Sequence, residues 1–212
     1  MSVREAYQEW SNQYDTNENK TRDLEALALR SILSKLDFSS VLEFGCGTGK
    51  NTVWLETKAK QVTAADFSEA MIEKAAGKIK SASTKLVIAD INQPWTFTTG
   101  TFDLITFSLV LEHIQDLDTV FSKAFQVANE KAFLYIGELH PFKQYAGSKA
   151  RFMTETGEQV VACYKHNISE FIQAAQRHGF QLFLLEEWFD DHDKTGIPRI
   201  LTLLFQKAAN LA

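Results

Sequence analysis

The sequence has few cysteines and prolines and no long apolar run. Its 212 residues include two cysteines, Cys46 and Cys163, which are too few for a disulfide framework or a cysteine-based metal site. With three prolines and no low-complexity tract, no linker is indicated, and we expect one domain over residues 1–212. No segment approaches ~18 consecutive apolar residues and the amino terminus has no signal-peptide core, so we expect a cytoplasmic protein without membrane insertion.

The chain also lacks an excess of basic residues. Its formal net charge is −5 at pH 7, whereas nucleic-acid binding requires a basic surface. We therefore expect no nucleic-acid partner. Apolar residues make up 45% of the chain, which is enough to build the core of a globular domain. Composition does not predict an oligomeric state.

Apolar segments with the length of strands alternate with segments that have the apolar period of helices. The expected strands are residues 41–45, 61–66, 85–90, 102–111, 131–139, 181–189 and 199–206. Such an alternation predicts a parallel sheet covered on both faces. No helix separates the last two segments, so the last strand is expected to be antiparallel. The prediction is an α/β fold: a three-layer, Rossmann-like, doubly wound sheet of seven strands with N-terminal helices.

The first expected strand runs into a turn with three glycines, in the sequence VLEFGCGTGKN. Open parallel sheets bind ligands at the carboxyl ends of their strands, so a site is expected here. The glycines Gly45, Gly47 and Gly49 approach the dinucleotide fingerprint G-x-G-x-x-G, but Lys50 stands where its third glycine belongs. Glu43 would repel a pyrophosphate and attract a cation. The turn therefore favours a positively charged ligand over a dinucleotide.

Acidic residues end the next two expected strands. Asp66 follows the glycine turn by about twenty residues. This sequence spacing is typical of a carboxylate that accepts hydrogen bonds from the hydroxyls of a ribose. Phe67 is placed to pack against a purine. Asp90 is placed to accept from an exocyclic amine, beside the backbone amide of Ile91. Together these positions predict a ligand with a ribose, an adenine-like base and a positive tail without phosphate.

These motifs, in this order, resemble those of class I S-adenosylmethionine-dependent methyltransferases. Within the class the chain is most similar to small-molecule enzymes related to the quinone-biosynthesis methyltransferases. The resemblance covers about residues 5–206 and implies transfer of a methyl group from S-adenosyl-L-methionine to an oxygen, nitrogen or carbon atom of a small molecule, leaving S-adenosyl-L-homocysteine. The similar stretches are VLEFGCGTG (41–49), VTAADFSEAMIEKA (62–75), LVIADINQPW (86–95), FDLITFSLVLEHI (102–114) and GFQLFLLEEWF (179–189).

The resemblance also implies which residues hold the cofactor. The glycine turn is expected beside the methionine part, and the end of the fourth strand near its ammonium and the sulfonium. Residues 1–36 are expected to form a helical lid segment, and residues 140–166 an insertion after the fifth strand that covers the substrate. The implied cofactor-binding residues are Tyr14, Glu43, Gly45, Cys46, Gly47, Asp66, Phe67, Met71, Asp90, Ile91, Ser108 and Leu109.

Two histidines and two residues of the insertion are candidates for the transfer step. His113 follows the fourth strand, and its ordinary pKa near ~6.5 suits a general base, although it could instead orient the loop. His140 follows the fifth strand and is a second candidate for base or substrate contact. Tyr145 and Arg151 are expected to contact the substrate, with Arg151 pairing a carboxylate through its planar fork. No metal-ligand cluster is indicated.

Other functions stay open at this point. A nicotinamide-dependent oxidoreductase would share the fold, but Glu43 and Lys50 disfavour it. A module that binds S-adenosylmethionine without catalysis would keep the same cofactor residues. An aminopropyltransferase would need an acidic pocket for a polyamine, whereas residues 140–152 are basic. The chain also has no Asn/Asp-Pro-Pro-aromatic motif after the fourth strand, which amino-methylating nucleic-acid enzymes of this class carry.

Overall fold

The computed structural model describes residues 3–11, 14–16, 18–147, 151–154, 157–160 and 163–209, with the backbone alone for 151–154 and 157–160. Its helices are α1 (Val3–Trp10), α2 (Lys20–Leu33), α3 (Thr52–Leu55), α4 (Glu69–Ala76), α5 (Leu117–Val127), α6 (Pro141–Tyr145) and α7 (Ile168–Arg177). Single 3-10 turns form at Leu111–His113 and Asp190–His192. Among the described residues, no helix has the length and apolar character needed to cross a membrane.

Seven strands form one mixed sheet in the order β3-β2-β1-β4-β5-β9-β8. Strands β1 to β5 pair in parallel, and β9 runs antiparallel to both of its neighbours. The predicted fold class, with its antiparallel last strand, is confirmed. The strands are β1 (Ser40–Phe44), β2 (Gln61–Asp66), β3 (Thr84–Ile88), β4 (Phe102–Ser108), β5 (Ala128–Leu139), β8 (Phe180–Trp188) and β9 (Ile200–Lys207).

Apolar residues pack on both faces of this sheet. On one face, Phe121 of α5 and Phe171 of α7 are buried against the strands. On the other, Leu29 of α2 and Leu55 near the glycine turn are fully buried. Because both faces are covered, the central strands are apolar along their whole length, which is why the sequence pattern identified them.

Local signals set several helix boundaries. The Ser68 side chain accepts a hydrogen bond from the Met71 amide and caps α4. Asn167 and Glu170 form a capping box at the start of α7. Both sites satisfy amide groups that a helix start leaves without intrahelical partners.

Backbone turns set the ends of α3 and β4. Helix α3 begins only at Thr52, because Gly49 takes a φ of +84°, which a helix cannot contain. Strand β4 ends at Ser108 rather than at residue 111, because Leu109 adopts a φ of +56° and turns the chain. Residues 151–154 and 157–160 form a separate two-stranded antiparallel sheet, β6 and β7, within the range of the predicted insertion.

Candidate functional site

A cavity of about 310 Å³ opens at the carboxyl ends of the central strands. Its floor is formed by the glycine turn after β1 and by the ends of β2 and β4, and α1 lies across it. Residues from several elements line it: Val3, Arg4, Tyr7, Tyr14, Phe44, Gly45, Gly47, Asp66, Phe67, Ala89, Asp90, Ile91, Asn92, Ser108, Leu109, Val110, His113 and Ile114.

The glycine turn is held against β2 by backbone hydrogen bonds. The amides of Gly45 and Cys46 both donate to the Ala65 carbonyl, at 2.8 and 3.1 Å. Gly45 has a φ of +70°, and a Cβ atom there would lie 1.9 Å from Cγ2 of Val110. Only glycine therefore allows this turn to pack against the loop after β4.

Asp66 ends β2 and faces the cavity from beside the glycine turn. Its carboxyl oxygens accept hydrogen bonds from the backbone amides of Gly47 and Ser68, each at 2.9 Å. Asp66 is 6% exposed, and burial raises the pKa of its carboxyl while the two amide bonds lower it. The two amides fix the direction in which the carboxyl points.

Asp90 and Ile91 follow β3 on the opposite side of the cavity. One Asp90 oxygen accepts from the amide of Asn92 at 2.8 Å and from its side chain at 3.1 Å. The Ile91 carbonyl accepts from Trp95 Nε1 and Lys123 Nζ, each at 3.0 Å. These bonds hold an irregular segment of backbone in one conformation at the cavity wall.

The loop after β4 is held by a buried carboxyl group that the sequence did not single out in this role. Glu138 of β5 is 2% exposed, and its Oε1 accepts from the amides of Val110 and Leu111 at 2.9 and 2.7 Å. Burial raises the pKa of Glu138 well above its ordinary value. Glu138 thereby positions the segment that carries Leu109 and leads to His113.

Helix α1 covers the cavity and contacts it through Tyr7. The Tyr7 hydroxyl lies 2.9 Å from Nε2 of His113, and both side chains line the cavity. Burial raises the pKa of Tyr7 well above its ordinary value. Gln8 anchors the same helix, because its Oε1 accepts from Ser68 Oγ at 3.0 Å. The sequence analysis missed Tyr7, since a short amphipathic helix does not show where its aromatic residue docks.

Tyr14 lies at the cavity edge next to the glycine turn. The guanidinium of Arg22 stacks 4.0 Å from its ring centroid and donates to its carbonyl oxygen. A Cβ atom on Gly47 would lie 3.8 Å from the Tyr14 ring. Burial raises the pKa of Tyr14 to about 12, so its hydroxyl stays neutral.

Comparison with known proteins decides between the chemistries that such a site could serve. Residues 42–136, which contain the glycine turn and the strand ends that line the cavity, match the family model of the methyltransferase domain. The protein is an S-adenosylmethionine-dependent methyltransferase.

Individual relatives of this methyltransferase cover it to different extents. It is 25% identical to an uncharacterized methyltransferase of Emericella nidulans, over 84% of this chain and 75% of that protein. It is 30% identical to the malonyl-[acyl-carrier protein] O-methyltransferase of Salmonella typhimurium, over 47% of this chain and only 39% of that protein. The structure of the N-methyltransferase NodS of Bradyrhizobium japonicum, in complex with S-adenosyl-L-homocysteine, superposes with a TM-score of 0.73. That match has 18% identity over 98% of this chain and 99% of NodS, and it shows the shared fold.

The cavity of the methyltransferase suits the charge and shape of S-adenosylmethionine. The carboxyl groups of Asp66 and Asp90 can accept hydrogen bonds, which the hydroxyls of a ribose and the amine of an adenine can donate. The same carboxyl groups would repel a pyrophosphate. Backbone amides and small residues of the glycine turn leave space for a ligand close to the main chain. The residues present therefore fit the cofactor that the family uses.

The structure gathers most of the predicted cofactor residues around one cavity. Three others do not line it: Glu43 precedes the glycine turn, Cys46 belongs to the turn with a buried side chain, and Met71 is fully buried at the start of α4. The Glu43 carboxyl accepts from Thr52 Oγ1 at 2.6 Å. The nine that line the cavity are Tyr14, Gly45, Gly47, Asp66, Phe67, Asp90, Ile91, Ser108 and Leu109.

The predicted residues for the transfer step are separated in space. His113 lines the cavity, but His140 is fully buried outside it, with Nε2 2.9 Å from Glu187 Oε1 and Nδ1 accepting from the Phe142 amide at 3.2 Å. Tyr145 is 49% exposed and bonds to Asn167. Residue 151 lies in β6, where only the backbone is described, so the expected contact of the Arg151 side chain falls outside the described structure.

Proposed function

We propose that this methyltransferase transfers a methyl group to a nitrogen or oxygen atom of a small molecule, and that the Tyr7–His113 pair handles the acceptor's proton. The observation that carries the proposal is the 2.9 Å contact between the Tyr7 hydroxyl and His113 Nε2 at the cavity wall. It places a titratable imidazole and a neutral hydroxyl together at a site covered by a helix.

The cofactor-binding roles follow the geometry of the cavity. We assign Asp66 to the ribose hydroxyls, Phe67 to one face of the adenine, and Asp90 with the Ile91 amide to the adenine edge. The glycine turn takes the methionine part, with Glu43 acting from behind it on the ammonium. Tyr14 closes this end, Met71 supports the wall near the adenine, and Ser108 and Leu109 border the reacting end.

The transfer is an in-line displacement at a methyl carbon that the sulfonium activates. The acceptor atom forms the new bond to carbon, the carbon–sulfur bond breaks, and its electron pair stays on sulfur. The acceptor's proton passes to His113, directly or through the Tyr7 hydroxyl. Tyr7 keeps its own proton in the resting state because burial raises its pKa. Orientation in a closed cavity contributes up to roughly 7–11 kcal/mol in the best cases, and a base about 10²–10⁴-fold.

The position of α1 over the cavity supports a small acceptor. Helix α1 lies across the opening and Gln8 anchors it to the start of α4, so the methyl donor is covered by the chain itself. An acceptor group on a large macromolecule would have to displace this helix. We assign residues 1–36 as the lid segment and residues 140–166 as the substrate-covering insertion of a single domain, as the sequence predicted.

A transfer assay with methyl-labelled S-adenosylmethionine and a panel of small amines, alcohols and carboxylates tests the proposal. We expect label to enter an amine or a hydroxyl compound, and His113→Gln to lower kcat at least about a hundredfold with little change in cofactor affinity. The matched control is His178→Gln, since His178 lies beside Asp118, away from the cavity. Equal activity of both variants would reject the proton role of His113, and labelling of protein or nucleic acid alone would reject the small acceptor.

A further inference from the structure

Two buried carboxyl groups lie behind the glycine turn and form what we call the acid pair, Glu25 of α2 and Glu43 of β1. They are 2% and 1% exposed. Among the described residues, no lysine or arginine nitrogen lies within 4.0 Å of either carboxyl. A buried carboxyl without a cationic partner is costly in its charged form, so such a pair requires an explanation.

Consecutive residues at the start of α3 tie the acid pair together. Asn51 Nδ2 donates to Glu25 Oε2 at 3.0 Å, and Thr52 Oγ1 donates to Glu43 Oε2 at 2.6 Å. The Tyr135 hydroxyl of β5 donates to the other Glu25 oxygen at 3.2 Å. These partners are neutral donors, so they orient the carboxyl groups without supplying a positive charge.

The acid pair adjoins the cofactor cavity from behind. The side chain of Ser108, which lines the cavity, lies beside the Glu25 carboxyl. Glu43 precedes Gly45 by two residues, and its charge interacts with those of Glu25 and Asp66. A positive charge in the cavity would therefore be felt by both members of the pair.

The groups around the acid pair supply little positive charge. Tyr135, Cys46 and Asp66 face it from β5, the glycine turn and β2, and each is neutral or negative. Lys50 is the cation that acts on Glu25, but it is partly exposed and already pairs with Asp23. Burial raises the pKa of Glu25, and it raises the pKa of Glu43 to about 8, so Glu43 holds a proton near neutral pH.

We propose that the acid pair selects the cationic methyl donor over its neutral product and couples donor binding to the release of a proton. S-adenosylmethionine carries a net charge of +1 from its sulfonium, ammonium and carboxylate groups, whereas S-adenosylhomocysteine has no sulfonium and no net charge. The donor stabilises the ionised pair, so the protonated enzyme and the donor cation give the ionised complex and one free proton. Once the methyl group has left, the pair regains its preference for a proton, which favours product release.

Linkage sets the direction of the pH effect. Because the donor binds better to the ionised pair, its affinity rises with pH up to the range in which the pair is already ionised. For one linked proton the dissociation constant falls by up to about tenfold per pH unit. The product keeps the ammonium but has lost the sulfonium charge, so it stabilises the ionised pair less and its affinity changes less with pH.

Isothermal titration of the full chain in two buffers of different ionisation enthalpy tests the proposal. The probes are S-adenosylmethionine, S-adenosylhomocysteine and sinefungin, an analogue with an amine in place of the sulfonium. We expect the heats of the two cationic ligands to depend on the buffer in the sense of proton release, and the heat of S-adenosylhomocysteine to be nearly independent of it. A buffer-independent heat for S-adenosylmethionine would overturn the proposal, even though it would leave the methyltransferase assignment intact.

A variant separates the pair's charge from its packing. Glu25→Gln should weaken the binding of S-adenosylmethionine at least about fivefold more than the binding of S-adenosylhomocysteine. It should also make the affinity for S-adenosylmethionine less dependent on pH. The control is Glu73→Gln, which removes one exposed carboxylate from α4 and should leave the affinity for both ligands unchanged. Equal losses for both ligands in Glu25→Gln would contradict the proposal. If this variant does not fold, the buffer comparison on the natural chain decides.

Discussion

The hydroxyl of Tyr7 lies 2.9 Å from Nε2 of His113, although the two residues are 106 positions apart in the chain. The contact joins the helix that covers the cofactor cavity to the loop that follows β4. The same pair therefore closes the cavity and supplies its one titratable imidazole among the lining residues of the described structure. In the proposed mechanism, covering of the cavity and proton handling are therefore linked in one hydrogen bond.

Replacing Tyr7 with phenylalanine tests this link. The variant keeps the packing of the ring against Phe67 but removes the hydrogen bond to His113. We expect kcat to fall at least about tenfold, with the unfolding free energy lowered by only about 0.5–1.5 kcal/mol. Tyr164→Phe, at an exposed tyrosine, is the control. A normal kcat in Tyr7→Phe would show that the hydroxyl has no part in the transfer.

Asp66→Asn tests the ribose assignment. The asparagine side chain fits the same space, but its NH2 group would face the backbone amide of either Gly47 or Ser68, and the charge-assisted bonds that we assign to the ribose would be lost. We expect the cofactor to bind about 1.5–3 kcal/mol more weakly, measured by calorimetry. Asp118→Asn is the control, because Asp118 forms an exposed ion pair with Arg177. Unchanged affinity in Asp66→Asn would remove Asp66 from the site.

His140 was a candidate for the transfer step, and its surroundings predict a structural role instead. Burial lowers its pKa, while the contact with Glu187 raises it, and the ring caps α6 by accepting from the Phe142 amide. His140→Ala should lower the unfolding free energy by about 1–3 kcal/mol and leave kcat of the folded enzyme unchanged. A large loss of kcat with unaltered stability would restore the catalytic assignment.

Gly45→Ala should disturb the turn through a clash and through its backbone conformation. The new Cβ would meet Val110 Cγ2 at 1.9 Å, and the φ of +70° is unfavourable for alanine. We expect a loss of about 1–3 kcal/mol in stability and weaker cofactor binding. Gly147→Ala isolates the backbone part, since Gly147 has a φ of +95° with no described atom within 4 Å of its Cβ position. Adding Val110→Ala to Gly45→Ala should relieve the clash but should leave the backbone strain. Equal effects of the two single variants would mean that the clash is not significant.

The pKa of Glu43 predicts how stability depends on pH without cofactor. Because burial raises this pKa to about 8, the folded chain binds more protons than the unfolded chain between the ordinary glutamate pKa and about 8. The free energy of unfolding should therefore fall as pH rises through this window, by up to about 1.4 kcal/mol per pH unit. Chemical denaturation at several pH values measures it, and Glu43→Gln should show a smaller slope. A slope that Glu43→Gln leaves unchanged would assign the effect to other groups.

Sequence patterns predicted the seven strands and the antiparallel last one because each strand carries its apolar pattern locally. Apolar strands, a glycine turn and acids at two strand ends are visible in the sequence, and nine of the twelve predicted cofactor residues line the cavity. The backbone turn at Leu109 ended the fourth strand earlier than predicted, and a positive φ at leucine has no signal in the sequence.

Tertiary contacts account for what sequence reasoning missed at the site. Tyr7 contacts His113 from α1, which Gln8 holds against the start of α4. No local sequence pattern predicts such docking. Glu25 and Glu138 resemble ordinary helix and strand residues until packing buries them. His140 was a candidate for base or substrate contact because it follows the fifth strand, but its side chain contacts Glu187.

Calorimetric titration of the natural chain with S-adenosylmethionine, S-adenosylhomocysteine and NADH tests the central claim most directly. The account predicts that the first two bind at one site per chain, that Asp66→Asn weakens both, and that NADH does not bind. Binding of NADH without either of the other ligands would contradict it, because the acidic cavity and its glycine turn would then hold a dinucleotide.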